Sequence, residues 1–157
     1  MKQVALIIFI ALSFQISAQT EYTHNWKRVA VGASFTFTAG LANGFGEAIS
    51  HHPNAVKSRF PNWPEQKWNP EYTWRNKYKD GIPENGPAFW GSTSVFIWAT
   101  DPYHAKNYVR TGGLVLGTFV LTVGEKKPLK FVLLDILVGA GAYYAGNYLT
   151  YNVIFRD

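Results

Sequence analysis

Four apolar runs, separated by polar, charged or proline-bearing breaks, set the pattern of this chain beyond its first twenty residues. Residues 29–46 carry no charge over 18 positions and stop at Glu47 and the His51-His52-Pro53 break. Residues 85–100 form a second charge-free run, closed by Asp101-Pro102. Residues 111–124 form a third, long enough to cross a bilayer if the helix starts at Pro102 with Asp101 as its cap. Residues 131–155 form the fourth, interrupted only by Asp135. Crossing a hydrocarbon core takes ~20 helical residues, so the pattern predicts about four transmembrane helices, with a three-span fold and a re-entrant second segment as the alternative because 87–100 is short for a crossing. The strands of a small outer-membrane barrel would alternate apolar and polar residues. Leu114-Val115-Leu116 and Val132-Leu133-Leu134 break that alternation by putting large residues on both faces. The expected fold is all-α, a helical integral membrane protein.

Ahead of these runs, Lys2, the apolar stretch 4–14 and Ser17-Ala18 before Gln19-Thr20-Glu21 read as an export signal cleaved after Ala18, with an uncleaved anchor as the alternative because Ile16 is bulky for the cleavage site. This leaves 19–157 as a single transmembrane domain with an aromatic, basic loop at 53–87. With the mature N-terminus outside, the loop's Lys57, Arg59, Lys67, Arg75, Lys77 and Lys79 fall inside, together with the turn at 125–130. That partition agrees with the positive-inside rule, and helices in place of a barrel favour a bacterial inner membrane over an outer one. Trp63, Trp68, Tyr72, Trp74 and Tyr78 suit the headgroup level, where one side of a ring is wet and the other apolar.

Composition narrows the function. At 157 residues there is room for one domain, and 16% charged residues, against about 25% in soluble domains, exclude a disordered chain. No cysteine is present, which removes disulfides, thiolate metal sites and a cysteine nucleophile. The net charge of +5 comes from Lys and Arg scattered between apolar runs, so no basic stripe speaks for nucleic acid.

Ionisable residues in or beside the apolar runs carry the candidate chemistry. Glu47 and His51 share a helix face at i and i+4 with Gly40, Asn43 and Gly44. Either Asn43 and Glu47 bond to a neighbouring helix while His51 sits at the interface, or Glu47 and His51 converge on a metal or proton path. Asp101 and His104, at i and i+3, read as a helix cap that can also fix an imidazole. Asp135 shares a face with the small residues Gly139, Ala142 and Gly146. It is expected to be solvated near the headgroups, protonated, or paired with His51, His52 or a lysine.

Glu47, His51, Asp101 and His104 supply enough nitrogen and oxygen donors for Zn or Fe. An enzyme built on them would use Glu47 and Asp101 as its catalytic carboxylates, Glu47 as general base or ligand, on a membrane-embedded ester or phosphoester. A non-enzymatic protein would use Gly40, Gly44, Gly139 and Gly146 to pack helices and the 53–87 loop to dock a protein partner, as a component of envelope assembly. Membrane lipid is the partner common to both. No metalloprotease, serine-nucleophile or phosphate-loop motif is present.

At Trp68-Asn69-Pro70, Trp74-Arg75-Asn76-Lys77-Tyr78, Phe89-Trp90-Gly91-Ser92-Thr93 and Thr100-Asp101-Pro102-Tyr103-His104, the sequence resembles a group of small bacterial integral membrane proteins with no assigned activity. The resemblance covers roughly residues 40–106. It implies a helical membrane protein and a role for Asp101 and His104 beyond capping, and it brings no substrate.

Overall fold

The computed structural model describes residues 22–123 and 127–156, so the expected export signal at 1–18 lies outside the described residues. Helix α1, Trp26–His51, starts at Asn25, whose side chain accepts the Arg28 amide at 3.1 Å, and ends at His52 because Pro53 opens a new helix. That helix, α2, is Pro53–Arg59. Helix α3, Pro70–Thr73, is one turn capped by Asn69, and α4, Pro102–Thr122, is capped by Asp101 with proline in its first turn. Helix α5, Leu129–Tyr148, continues into a wider π-type turn, Leu149–Ile154. The described residues contain no strand beyond one isolated bridge, Tyr78 to Pro87. The all-α expectation therefore holds.

Helix α1 is the axis of the bundle. It packs along both α4 and α5, which meet each other far less. Small residues make this possible. Gly32, Thr36 and Ala39 of α1 lie against Gly113, Gly117 and Leu121 of α4, while Gly40 and Gly44 lie against the α5 backbone at Tyr143 and Asn147. A Cβ on Gly113 would stand 2.7 Å from the Phe35 carbonyl oxygen, and one on Gly44 2.5 Å from that of Asn147. Backbones this close gain dispersion contacts with no large side chain between them, which is how helices associate in lipid. The larger apolar side chains point outward instead: Val115, Phe119 and Leu137 are all exposed. Among the described residues an apolar core lies at the end of the bundle where α1 stops, and joins Ala48, Ile49, Val56, Trp68 and Phe155.

Two sequence expectations need correction. The run at 85–100 is not a helix and provides no second span. Gly86 and Gly91 take positive φ (79° and 78°), Pro87 lacks an amide donor, and the Ser92 hydroxyl donates to the Lys77 carbonyl at 2.7 Å, folding the segment back on 77–87. Among the described residues three long helices result in place of four, and only Leu129–Ile154 is both long and apolar enough to cross a membrane. With α1, α4 and α5 as the long helices, residues 127–128 before α5 and the segment 52–101 lie at opposite ends of the bundle, whereas a four-span count puts them on one side. The segment 53–101 is itself a compact cap of short helices and turns that buries Trp68 and Thr73.

Candidate functional site

The densest polar constellation forms where the cap meets α4. Asp101 is extended, so its carboxylate reaches forward over the first turn and accepts the His104 amide at 2.9 Å, as a capping residue does. The same geometry brings the His104 ring down onto it, with Nδ1 at 2.8 Å from Oδ2 and 3.0 Å from Oδ1. The Thr100 hydroxyl donates to Oδ2 at 2.9 Å, and the Asn76 amide, carried across from the cap, does so at 3.0 Å. Cap and dyad are thus one arrangement. Burial pushes the Asp101 carboxyl up, but the hydrogen bonds from His104, Asn76 and Thr100 outweigh it and hold the group below the usual carboxylate range. A carboxylate on Nδ1 fixes the imidazole tautomer and leaves Nε2 as the proton acceptor, so the pair can orient and activate a general base.

A depressed carboxyl pKa contributes stability above the usual carboxylate range, and that stability is lost as pH falls through the lowered value. Asp101→Ala removes a cap and takes the acceptor from the half-buried donors of Asn76 and His104, while Thr100 keeps the Ile97 carbonyl, so we expect a loss of about 2 kcal/mol. Asp101→Asn is expected to lose less at neutral pH, and its gap to the wild type should close on acidification. Denaturant titrations in detergent, followed by circular dichroism, measure both; a gap that ignores pH contradicts the assignment.

Beside the dyad opens a cavity of about 540 Å³ lined by Trp63, Lys67, Trp98, Thr100, Asp101 and Ala105. Trp63 is held by stacking on Phe60, with centroids 4.3 Å apart. Lys67, from the turn Glu65–Lys67, supplies the wall's ammonium group. Sequence reasoning placed Trp63 at the headgroup level but missed the cavity, because Trp98 comes from the run read as a span.

Glu47 and His51 pair at 3.4 Å on an exposed helix face, and Asn43 accepts from Arg110 of α4 at 3.2 Å. Asn43 does bond to a neighbouring helix, as one reading expected. Lys106 of α4 packs against Gly46 and over the Tyr103 ring, 4.7 Å from its centroid. The four residues offered as metal ligands divide into two pairs, Glu47 with His51 and Asp101 with His104. Among the described residues no group of three or more His, Cys, Asp or Glu lies close enough to hold an ion.

Asp135 lies at the other end of the bundle. It pairs with Lys127 at 2.5 Å and approaches His24 Nε2 at 3.1 Å, with all three side chains buried. The lysine partner matches one expectation, but His51 and His52 are not its partners, since both rings lie near Tyr151 at the capped end. His24 was missed. It precedes the first apolar run, and its only signal was the aromatic company of Tyr22 and Trp26. The ring stacks on Phe131, with centroids 4.6 Å apart. A single cluster where the first, second and fourth spans meet does not form, because α1 separates the two ends by roughly 38 Å at ~1.5 Å rise per residue over its 26 residues.

Fold and site together define a glycine-seamed, outwardly apolar helical bundle with a polar cap and an Asp–His dyad beneath it. Comparison with family models, curated proteins and solved structures gives no match.

Proposed function

We propose that this chain is an integral protein of the bacterial inner membrane, inserted through α1, α4 and α5, whose capped end holds an anionic lipid headgroup. The observation that carries the reading is the cavity at the cap: two tryptophans flank it, a lysine lines it, and the bundle below presents apolar side chains outward. A headgroup phosphate would meet Lys67, while the indoles of Trp63 and Trp98 would lie along the glycerol region. Charge supports the orientation. Nine Lys and Arg residues fall at the capped end, six in 53–101 together with Lys106, Arg110 and Arg156, against Lys27, Arg28, Lys127 and Lys130 among the described residues at the other. The positive-inside rule then puts the cap in the cytoplasm. In an enzymatic version acting on an ester or phosphoester, His104, held by the cavity-lining Asp101, would be the general base.

A second reading, a non-enzymatic part of envelope assembly, is favoured by the fact that Asp101 and Asp135 both spend their carboxylates on partners within the chain. Native mass spectrometry of the detergent-purified chain with phosphatidylglycerol or phosphatidylcholine tests the headgroup site. The wild type is expected to retain phosphatidylglycerol preferentially, and Lys67→Gln to weaken that retention about tenfold, the value of one charge-assisted hydrogen bond. Equal retention of the two lipids, or no effect of Lys67→Gln, rejects it. Stoichiometric Zn or Fe lost in the His51→Ala, His104→Ala double variant would restore a metal centre as the working reading.

A further inference from the structure

Residues 85–100 carry no charge, yet the part that follows Ala88 puts its largest apolar side chains on the surface. Trp90 is 83% exposed, and Phe89, Val95 and Trp98 are exposed beside it. Looseness does not account for this. Gly91 takes the left-handed φ of 78°, its carbonyl accepts the amides of Ser94 at 3.0 Å and Phe96 at 2.9 Å, and Ser92 is fully buried on the Lys77 carbonyl. The aromatic side chains are therefore held out by an ordered turn. Trp90 and Phe96 lie 5.6 Å apart, and Phe96 and Trp98 6.5 Å, so the rings form one continuous surface.

The position of the turn matters as much as its composition. The Tyr108 hydroxyl donates to the Ser94 carbonyl at 3.3 Å. Tyr108 belongs to the second turn of α4, six residues beyond Pro102, so the segment folds over the outer side of the first turns of that helix. It lies there beside Tyr108 and Val109, which are exposed on the outer face of α4. The basic residues Arg75, Lys77 and Lys79 are carried by the adjoining part of the cap.

We infer that residues 89–98 form an interfacial wedge, which enters the headgroup and glycerol region of an anionic bilayer beside α4 with Trp90 and Val95 leading. The inference rests on the bundle being inserted in a membrane, as proposed above, and adds a second, non-helical element to its contact with lipid. Indole rings prefer this level because the N–H finds water or phosphate while the ring meets acyl chains. Irregular backbone is excluded from the hydrocarbon centre, where unpaired amides find no partner, so the wedge stops at the interface. Arg75, Lys77 and Lys79 would meet the lipid phosphates above it.

The absence of cysteine makes the test direct. Single variants Trp90→Cys, Glu84→Cys and Leu137→Cys of the full chain are labelled with an environment-sensitive fluorophore and reconstituted in phosphatidylglycerol–phosphatidylcholine vesicles. All three positions are exposed in the isolated chain, so the label displaces no buried group, and only the surface contact of Trp90 with Phe96 is lost. At Trp90→Cys, iodide quenching is expected to fall from the level of Glu84→Cys to that of Leu137→Cys, with a shallow spin-labelled lipid quenching more than a deep one. Iodide access equal to that of Glu84→Cys, while Leu137→Cys stays protected, overturns the wedge and leaves the inserted bundle standing; the surface would then be open to a protein partner. Stronger quenching by the deep lipid overturns the interfacial placement. Iodide access at Leu137→Cys as well overturns membrane insertion itself.

Discussion

Gly40→Ala is expected to force α1 away from α5. Its Cβ would fall on the Tyr143 carbonyl and stand 3.0 Å from the Asn147 amide nitrogen, and neither is the movable end of a side chain. Overpacking a well-fitted contact costs about 1–3 kcal/mol, and backbone obstacles belong at the upper end. Alanine also gains about 1 kcal/mol over glycine in helix propensity, so any net loss understates the clash. Gly146→Ala should behave alike, because its Cβ would meet the Phe37 carbonyl from the other side of the same seam. The pair together should remove much of a stability that is typically only 5–15 kcal/mol. Gly112→Ala and Gly141→Ala provide the control, since a Cβ at either position meets nothing within 4 Å. They are expected to match or exceed the wild type in the midpoint of SDS-induced unfolding, followed by circular dichroism. If Gly40→Ala does so as well, the close α1–α5 approach is wrong.

These glycines also mark what the sequence could and could not convey. Small residues at helical spacing identified a face of α1 and a face of α5 suited to close packing, and Gly40, Gly44, Gly139 and Gly146 are all at helix contacts. Spacing carries no information about which helix lies opposite, and α1 in fact serves two neighbours with different glycines. Helix α5 was legible because length and apolarity agree over 131–155. Helix α4 was legible because Asp101-Pro102 is a local start signal that extends the run at 111–124 backward by two polar turns. The run at 85–100 misled because freedom from charge reports burial or lipid, while helix formation depends on backbone freedom. Gly86, Pro87 and Gly91 were the contrary signal, and 16 residues fall short of the ~20 a span needs.

The same division runs through the polar residues. Asp101 with His104 and Glu47 with His51 lie within one helical turn, so spacing alone brings each pair together. Asn76 and Thr100 complete the Asp101 site through a fold of the cap that no local pattern encodes. Their contribution is to hold a buried carboxylate charged, and with it the His104 tautomer. The expectation of one shared metal set failed to find support for a geometrical reason: on the α1 side the pair projects outward, exposed, while the α4 pair is turned into the cap.

At the far end of the bundle, Lys127→Met is expected to be the most damaging single loss of a side chain. Asp135 is 1% exposed, and Lys127 is its closest cation, with the same ammonium group donating to the Leu121 carbonyl and so tying the turn before α5 to the end of α4. Removing one partner of a buried ion pair leaves the other charge uncompensated, at a cost of about 3–5 kcal/mol. Asp135→Leu should cost less, because the long lysine stem can carry its ammonium group out toward water at that end of the bundle. The double variant Lys127→Met, Asp135→Leu should recover most of the loss, since apolar residues of similar volume replace a buried pair at little cost or with a gain. Recovery separates a charge-balance role from plain packing, which two truncations would damage additively. Unfolding midpoints of the four proteins in detergent supply the double-mutant cycle. A Lys127→Met variant as stable as the wild type would mean that Asp135 draws its compensation from elsewhere, and the stacking of His24 on Phe131 beside Oδ1 makes that ring the next residue to change.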